Sequence, residues 1–119
     1  MTRDWQLVKV ILAKLEALQS TRAVLHPEEV AGYDTELVSY HLRLLDQAGL
    51  IVAECSATIG GPLYCYGRTL TWEGHEFLDT VRSDTVWNRV TKTAREKGLG
   101  LSFSIIKIIA EAAIKAVAS

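Results

Sequence analysis

The sequence predicts a mainly α-helical fold with one small β-hairpin, an α+β class. Apolar residues recur at intervals of three and four along most of the 119 residues, which is the period of an amphipathic helix. Residues 63–71 alternate instead and follow a turn-forming run at residues 60–62, which indicates a hairpin. The composition, 49% hydrophobic and 23% charged, is that of an ordinary globular domain and excludes a disordered or collagen-like chain.

The first helix is predicted over residues 4–19. Asp4 can cap its N-terminus, where a negative charge suits the helix dipole. The apolar residues of this helix fall on one face, which we expect to be buried. They are Leu7, Val8, Ile11, Leu12, Leu15 and Leu18.

Two further helices are predicted after a loop over residues 20–25. Pro27 suits the first turn of a short helix that ends at Gly32. A longer helix is predicted over residues 35–48, and Gly49 suits the left-handed position that follows a helix. The residues on the buried face of the longer helix are Val38, Leu42 and Leu45.

The hairpin is predicted to pair a strand that begins at Leu50 with a strand over residues 63–71. The second strand is expected to alternate without interruption, so that every second side chain lies on the same face of the hairpin. One face then carries Tyr64, Tyr66, Arg68 and Leu70, and the other carries Cys65, Gly67 and Thr69.

Three helices are predicted after the hairpin, over residues 72–82, 84–97 and 103–117. We interpret Trp5 and Trp87 as aromatic anchors of the core. The centre of that core is expected to bring together Leu42, Leu45, Ile51, Leu70 and Trp72.

The predicted order of a short helix, an amphipathic helix and a hairpin is that of a winged helix-turn-helix, whose second helix enters the major groove of DNA. The sequence therefore predicts a winged helix-turn-helix core over residues 1–83 and a C-terminal helical extension over residues 84–119, within one compact domain. The extension carries a net charge of +3, whereas residues 1–48 and 49–83 each carry −2. We interpret the basic side chains of the extension as a solvated helix face.

Two motifs resemble those of bacterial winged-helix repressors. Residues 38–51 resemble their recognition helix, with a Ser-x-His-Leu core and a following Gly-Leu-Ile. Residues 70–74 resemble the Leu-Thr-x-x-Gly run that closes the wing in the same proteins.

A third resemblance is to a narrower family, domain of unknown function 2513, which is common in prophages and mobile elements. Residues 72–82, continuing to Trp87-Asn88, are similar to this family, and Arg3-Asp4 matches its typical start. The resemblance spans nearly the whole chain. The winged-helix motifs imply DNA binding, and this family resemblance implies a prophage or mobile-element origin. Together they lead us to expect a small DNA-binding regulator of transcription.

The winged-helix resemblance implies that Ser39, Tyr40 and Arg43 face the DNA, and helical spacing agrees because they lie off the buried stripe. Ser39 and Tyr40 would donate to phosphate, and Arg43 would reach a phosphate or a guanine edge. Thr35, at the helix N-terminus, and Arg68, on the second strand, complete the predicted DNA-binding set. The expected partner is double-stranded DNA.

The charge of this region keeps a second function open. The predicted recognition helix has one Arg against Glu36 and Asp46, and residues 56–63 at the hairpin tip include no basic residue. A protein that neutralises few phosphates binds DNA weakly, and salt weakens this binding further. The alternative function is a protein–protein adaptor or inhibitor that keeps the winged-helix fold without binding DNA.

No catalytic residue, metal site or cofactor is predicted, so the chain is interpreted as a non-enzyme. His26, His41 and His75 lack the paired spacing of metal ligands, and His41 is interpreted as a helix residue bonded to backbone. Cys55 and Cys65 fall on the two strands, nearly opposite one another. We expect two reduced thiols in a cytoplasmic protein, with a redox switch as the alternative.

The last helix is predicted to form a homodimer. Lys107, Glu111 and Lys115 interrupt its apolar run, which is therefore not expected to span a membrane. The remaining apolar arc is wider than a single core contact requires, so we expect a second chain to cover part of it. The alternative is that the helix packs between the hairpin and the first helix of its own chain. The predicted interface residues are Ile105, Ile109, Ala112, Ala113 and Ala116.

Overall fold

The computed structural model describes residues 1–57 and 59–118, with the side chains of the second range as far as Lys115. Within these residues, five α-helices and one antiparallel hairpin confirm the predicted mainly α fold of the α+β class. A single turn of 3-10 helix, Pro27–Glu29, replaces the predicted short helix. The elements are α1 Trp5–Glu16, α2 Thr35–Gln47, β1 Ile51–Ser56, β2 Tyr64–Leu70, α3 Trp72–Val81, α4 Asp84–Glu96 and α5 Phe103–Ala118.

The chain divides into two compact units, Met1–His75 and Glu76–Ser119. The division falls inside α3, whereas the sequence analysis placed it after that helix, between residues 83 and 84. The first unit contains α1, α2 and the hairpin, and the second contains α4 and α5.

Helix α1 begins as predicted and ends three residues early. The Asp4 carboxylate accepts a hydrogen bond from the Leu7 N–H at 3.1 Å, which confirms the cap. The helix ends at Glu16, and Ala17 is its C-terminal cap. Five of its six predicted apolar residues are buried, namely Leu7, Val8, Ile11, Leu12 and Leu15.

The hairpin contains a β-bulge that the sequence analysis missed. Val52 lies opposite Thr69, and Ala53 lies opposite Gly67, so Arg68 is the extra residue. A bulge shifts the alternation by one residue, so Leu70 is buried on the same side as Gly67 although strict alternation separates them. Leu25, predicted to lie in a loop, pairs with Gly67 through two backbone hydrogen bonds of 2.8 Å.

The core prediction is confirmed for four residues and wrong for Trp72. Leu42, Leu45, Ile51 and Leu70 are each at most 6% exposed, whereas Trp72 is 75% exposed. The buried residues of α3 lie on one side of the helix, and Trp72 lies about half a turn away from them. Those buried residues are Phe77, Leu78 and Val81.

A backbone corner joins the end of α2 to the start of α3. Gly49 has a φ of +80°, the left-handed conformation predicted to end α2. The Thr71 N–H donates to the Leu50 carbonyl at 3.0 Å, and the Thr71 hydroxyl donates to the Gly49 carbonyl at 2.6 Å. Thr71 Oγ1 also accepts from the Gly74 N–H at 3.1 Å and so caps α3. An added Cβ at Gly74 would lie 1.9 Å from the Leu50 oxygen, which explains why the Leu-Thr-x-x-Gly run contains glycine here.

The second unit has its own apolar contacts. The Phe77 and Phe103 rings meet edge to face, with their centroids 5.0 Å apart. Ser83 caps α4 by accepting from the Val86 N–H, and Ser102 accepts from the Ile105 N–H at the start of α5. The buried residues of the second unit on α4 and α5 are Val90, Ala94, Ile106, Ala110 and Ala113. None of the described helices has the length and apolarity that crossing a membrane requires.

Candidate functional site

Helix α2 buries more of its circumference than the predicted stripe. One side packs into the core through Val38, Leu42 and Leu45. Ser39 and His41 are also fully buried, each with 0% exposure. The side that remains accessible carries the predicted residues Tyr40, half-buried, and Arg43, exposed, together with Glu36, Leu44 and Gln47.

The prediction that Ser39 contacts DNA is wrong. Its Oγ accepts a hydrogen bond from the buried Cys65 N–H at 3.0 Å. Ser39 therefore binds α2 to β2 and has no access to a phosphate. Helical spacing did not indicate this burial, because the hairpin covers a side of α2 next to the apolar stripe.

The interpretation of His41 as a helix residue bonded to backbone is confirmed. Its Nε2 accepts from the Asp4 N–H at 2.8 Å, so the neutral ring carries its proton on Nδ1. Nδ1 then donates to the Leu37 carbonyl at 2.9 Å. The Ser-x-His pair of the repressor-like motif therefore has a structural role here, because Ser39 holds the hairpin and His41 holds the start of α1.

We expect Ser39→Ala to lower the free energy of unfolding by about 1–3 kcal/mol, because it leaves the buried Cys65 N–H without an acceptor. Urea unfolding followed by circular dichroism measures this change. Thr35→Ala, at an exposed position of the same helix, is the control and should change stability little. Equal stability of Ser39→Ala and the unmodified chain would contradict the assigned role.

Two guanidinium groups are stacked on aromatic rings beside the accessible side of α2. The Arg43 Cζ lies 5.7 Å from the centroid of the Tyr40 ring, and the Arg3 Cζ lies 5.2 Å from that of Trp5. The pairs are neighbours, since Arg3, Trp5 and Tyr40 line one recess. An aromatic ring holds a guanidinium in place by contact with its flat face. Phosphate binding uses the N–H groups at the edge of the guanidinium, so stacking is compatible with it. We call Arg3, Trp5, Tyr40, Arg43 and Leu44 the α2 surface.

Arg3 and Trp5 were not among the predicted site residues. Their position in the recess depends on the hydrogen bond from the Asp4 N–H to His41, which fixes the start of α1 against α2. The two residues are 35 or more positions away from Tyr40 in the chain, and no local spacing indicates this proximity. The Arg3-Asp4 pair that resembles the family start was the one available signal.

The beginning of α2 lies in an acidic environment. Thr35, a predicted DNA-binding residue, is exposed, and it lines a recess with Asp34, Glu36 and Tyr64. The Tyr64 hydroxyl donates to both carboxylate oxygens of Glu28, at 3.0 and 3.1 Å. Partial burial of the phenol, and then its bond to Glu28, raise the pKa of Tyr64. The first unit as a whole has six basic and nine acidic side chains.

Arg68 is not brought to the α2 surface. Its Nη1 lies 3.3 Å from the Glu54 Oε1 across the hairpin, and both side chains are about half exposed. The Tyr66 hydroxyl donates to the same carboxylate, and this bond raises the pKa of Tyr66. Arg68 also lines a different recess, next to Val52. A DNA contact by Arg68 would therefore be separate from one made by Arg43.

Cys55 and Cys65 form a disulfide bond, which corrects the expectation of two reduced thiols. The two residues are directly opposite in the hairpin, as the sequence analysis expected, and their Cα atoms are 4.0 Å apart. No cysteine in the described residues is free. Among residues 1–57 and 59–118, no three His, Cys, Asp or Glu side chains form a group that could hold a metal ion.

The predicted dimer interface is only partly accessible. On α5, Ile105 and Ile109 are half-buried and Ala112 is exposed, whereas Ala113 is buried within its own unit and is removed from the predicted set. The side chain of Ala116 lies outside the described residues. Two apolar residues of α5 outside the predicted set, Ile108 and Ile114, are 64% and 43% exposed.

Comparison with known proteins gives a family and a bacterial relative to which the chain is similar. A family described as "Hypothetical protein (DUF2513)" matches residues 2–100. A relative described as an uncharacterized protein, from Haemophilus influenzae strain Rd, is 44% identical over 114 residues, which cover 96% of each chain. No solved structure matches significantly. Since the family match covers most of the chain, this protein belongs to the DUF2513 family.

Proposed function

We propose that the first unit is a winged helix-turn-helix domain that binds double-stranded DNA through the α2 surface. The observation that carries the proposal is the pair of stacked guanidinium groups, Arg43 on Tyr40 and Arg3 on Trp5, beside the accessible side of one helix. Helix α2 follows a single turn and precedes a hairpin, which is the order that places a helix in the major groove. A prophage or mobile-element regulator is the biological role we propose for this activity.

The residues of the α2 surface have distinct roles in this proposal. Arg43 lies on the exposed side of α2 and reaches a phosphate or a guanine edge. Arg3 binds a neighbouring phosphate, and the Tyr40 hydroxyl donates to the backbone. With two guanidinium groups in the interface, log affinity should fall against log salt with a slope of about −1.8.

We expect Arg43→Ala to weaken binding to a fluorescently labelled duplex of mixed sequence, measured by anisotropy over a salt series. Loss of one phosphate contact makes the negative slope of log affinity against log salt shallower by about 0.9. The control is Arg22→Ala, which removes the same charge from an exposed loop position outside the α2 surface. Equal affinities and slopes for Arg43→Ala and Arg22→Ala would show that Arg43 is not in the interface.

A second candidate function is a protein–protein adaptor or inhibitor, and the charge of the first unit favours it. Asp34 and Glu36 lie at the start of α2, where a DNA-binding helix approaches phosphates, and Glu28 is bonded to Tyr64 nearby. In this function the same face binds a basic region of a protein partner.

The two functions differ in what happens at low salt. The adaptor is favoured if the unmodified chain does not bind the duplex and Asp34→Lys combined with Glu36→Lys creates binding. That result would mean that the two carboxylates oppose DNA binding on an otherwise suitable surface. Measurable binding by the unmodified chain contradicts the adaptor as the sole function.

We also propose that α5 forms a homodimer through its exposed apolar residues. Ile108→Glu should produce a folded monomer, because a charge at this 64% exposed position opposes apolar contact without disturbing the core of the unit. Light scattering gives the mass, and circular dichroism checks the fold. Ser104→Glu, exposed on the polar stripe of the same helix, is the control and should remain dimeric. An unmodified chain that is monomeric at tens of micromolar contradicts the proposal.

A further inference from the structure

The hairpin disulfide lies where two strands are closest. The Cys65 N–H donates to Ser39 on α2, so it points away from β1. Cys55 and Cys65 are therefore a non-hydrogen-bonded pair, the type in which opposing side chains approach most closely. The disulfide consequently joins the strands directly, next to the contact of the hairpin with α2.

The two sulfur-bearing residues differ in their access to solvent. Cys65 is fully buried, with 0% exposure, whereas Cys55 is exposed. Thiol–disulfide exchange requires direct approach of a thiolate to one of the two sulfurs. A thiolate in solution therefore has access to Cys55 and not to Cys65.

We propose that Cys55–Cys65 is a thiol–disulfide exchange site that reacts with small thiols and dithiols at Cys55 in the folded protein. A thiolate of the dithiol attacks the Cys55 sulfur, the Cys55–Cys65 bond breaks, and Cys65 leaves as a thiolate that takes up a proton. The second thiol of the dithiol then loses its proton and attacks the reagent's other sulfur, which is bonded to Cys55 in the mixed disulfide. That bond breaks, and Cys55 leaves as a thiolate that takes up a proton. The protein gains two electrons and two protons, and the dithiol is oxidised to a cyclic disulfide. This inference does not depend on DNA binding.

Reduction changes one part of the hairpin more than the rest. The disulfide closes the chain between Cys55 and Cys65, ten positions apart, and removes conformational freedom from the tip. Without it, the Ser56–Tyr64 pair at the tip side should open more often, while Ile51 and Leu42 stay in the core. We expect amide hydrogen exchange at Ser56 and Tyr64 to become about ten- to a hundredfold faster on reduction.

Reduction kinetics test whether the reaction occurs in the folded state. The oxidised chain is incubated with dithiothreitol under native conditions, and free thiols are trapped by alkylation and counted by mass spectrometry. We expect a rate proportional to the dithiothreitol concentration, with an unchanged circular dichroism spectrum. A rate that becomes independent of the dithiothreitol concentration would overturn the proposal, because reduction would then require prior unfolding.

Glutathione tests which sulfur is attacked. Acid-trapped reactions should give a glutathione adduct on Cys55, located by fragmentation of the tryptic peptide that spans residues 44–68. An adduct on Cys65 would overturn the proposal. Cys55→Ser combined with Cys65→Ser should reproduce the fast exchange of the reduced chain at Ser56 and Tyr64. Slow exchange in this variant would refute the effect on the hairpin.

Discussion

Gly74→Ala is expected to lower the free energy of unfolding by about 3 kcal/mol or more. A methyl group at this position would lie 1.9 Å from the Leu50 backbone oxygen, and backbone cannot move aside as the end of a side chain can. The same oxygen accepts the Thr71 N–H, so any shift that relieves the clash also disrupts the corner between α2 and α3.

The sign of this change is informative. Gly74 lies in the first turn of α3, and replacing glycine by alanine within a helix normally stabilises it, by up to about 1 kcal/mol. A loss of stability therefore reports the clash and not helix propensity. Gly100→Ala is the control, because an added Cβ there meets nothing within 4 Å. Urea unfolding measures both variants, and a stabilising Gly74→Ala would contradict the close approach.

Leu42→Ala is expected to lower the free energy of unfolding by about 2–5 kcal/mol. Leu42 has 0% exposure on the core side of α2, and its Cδ2 would lie 3.2 Å from a Cβ added at Gly67, so it packs directly on β2. Truncation leaves a cavity that the neighbouring strand cannot fill without losing the Leu25–Gly67 backbone pair.

The matched control for Leu42→Ala is Leu44→Ala. Leu44 is two residues away on the same helix and only half-buried, so the same truncation should cost much less. Chemical unfolding of the two variants compares the burial of the two faces directly. A cost below about 0.5 kcal/mol for Leu42→Ala would mean that the assigned core side of α2 is wrong.

Local patterns in the sequence were sufficient to place most elements of the fold. The period-3.6 stripe placed Leu42 and Leu45 in the core, and short-range chemistry placed the Asp4 cap and the Gly49 helix end. These features depend on residues within a few positions of one another, whose geometry is set by the helix itself. His41 was also correctly interpreted as bonded to backbone, and the local part of that bonding is the bond from Nδ1 to the Leu37 carbonyl, four residues earlier.

Tertiary contacts decided the candidate site. A helix that packs against a hairpin as well as a core buries more than one stripe, and for this reason Ser39 is buried and not available to DNA. The β-bulge places Leu70 on the buried face of the hairpin. Trp72 is exposed because it lies on the side of α3 opposite the buried residues of that helix.

The α2 surface and the disulfide show the same division. The sequence by itself determined that Tyr40 and Arg43 lie on the accessible side of α2, and that Cys55 and Cys65 fall on facing strands. Only the tertiary structure brought Arg3 to Tyr40 and set the cysteines in a narrow pair, with one buried and one exposed. The periodicity of a helix or strand specifies which face of that element each side chain lies on. Proximity between elements depends instead on hydrogen bonds such as Asp4 to His41 and Cys65 to Ser39, which join residues 37 and 26 positions apart.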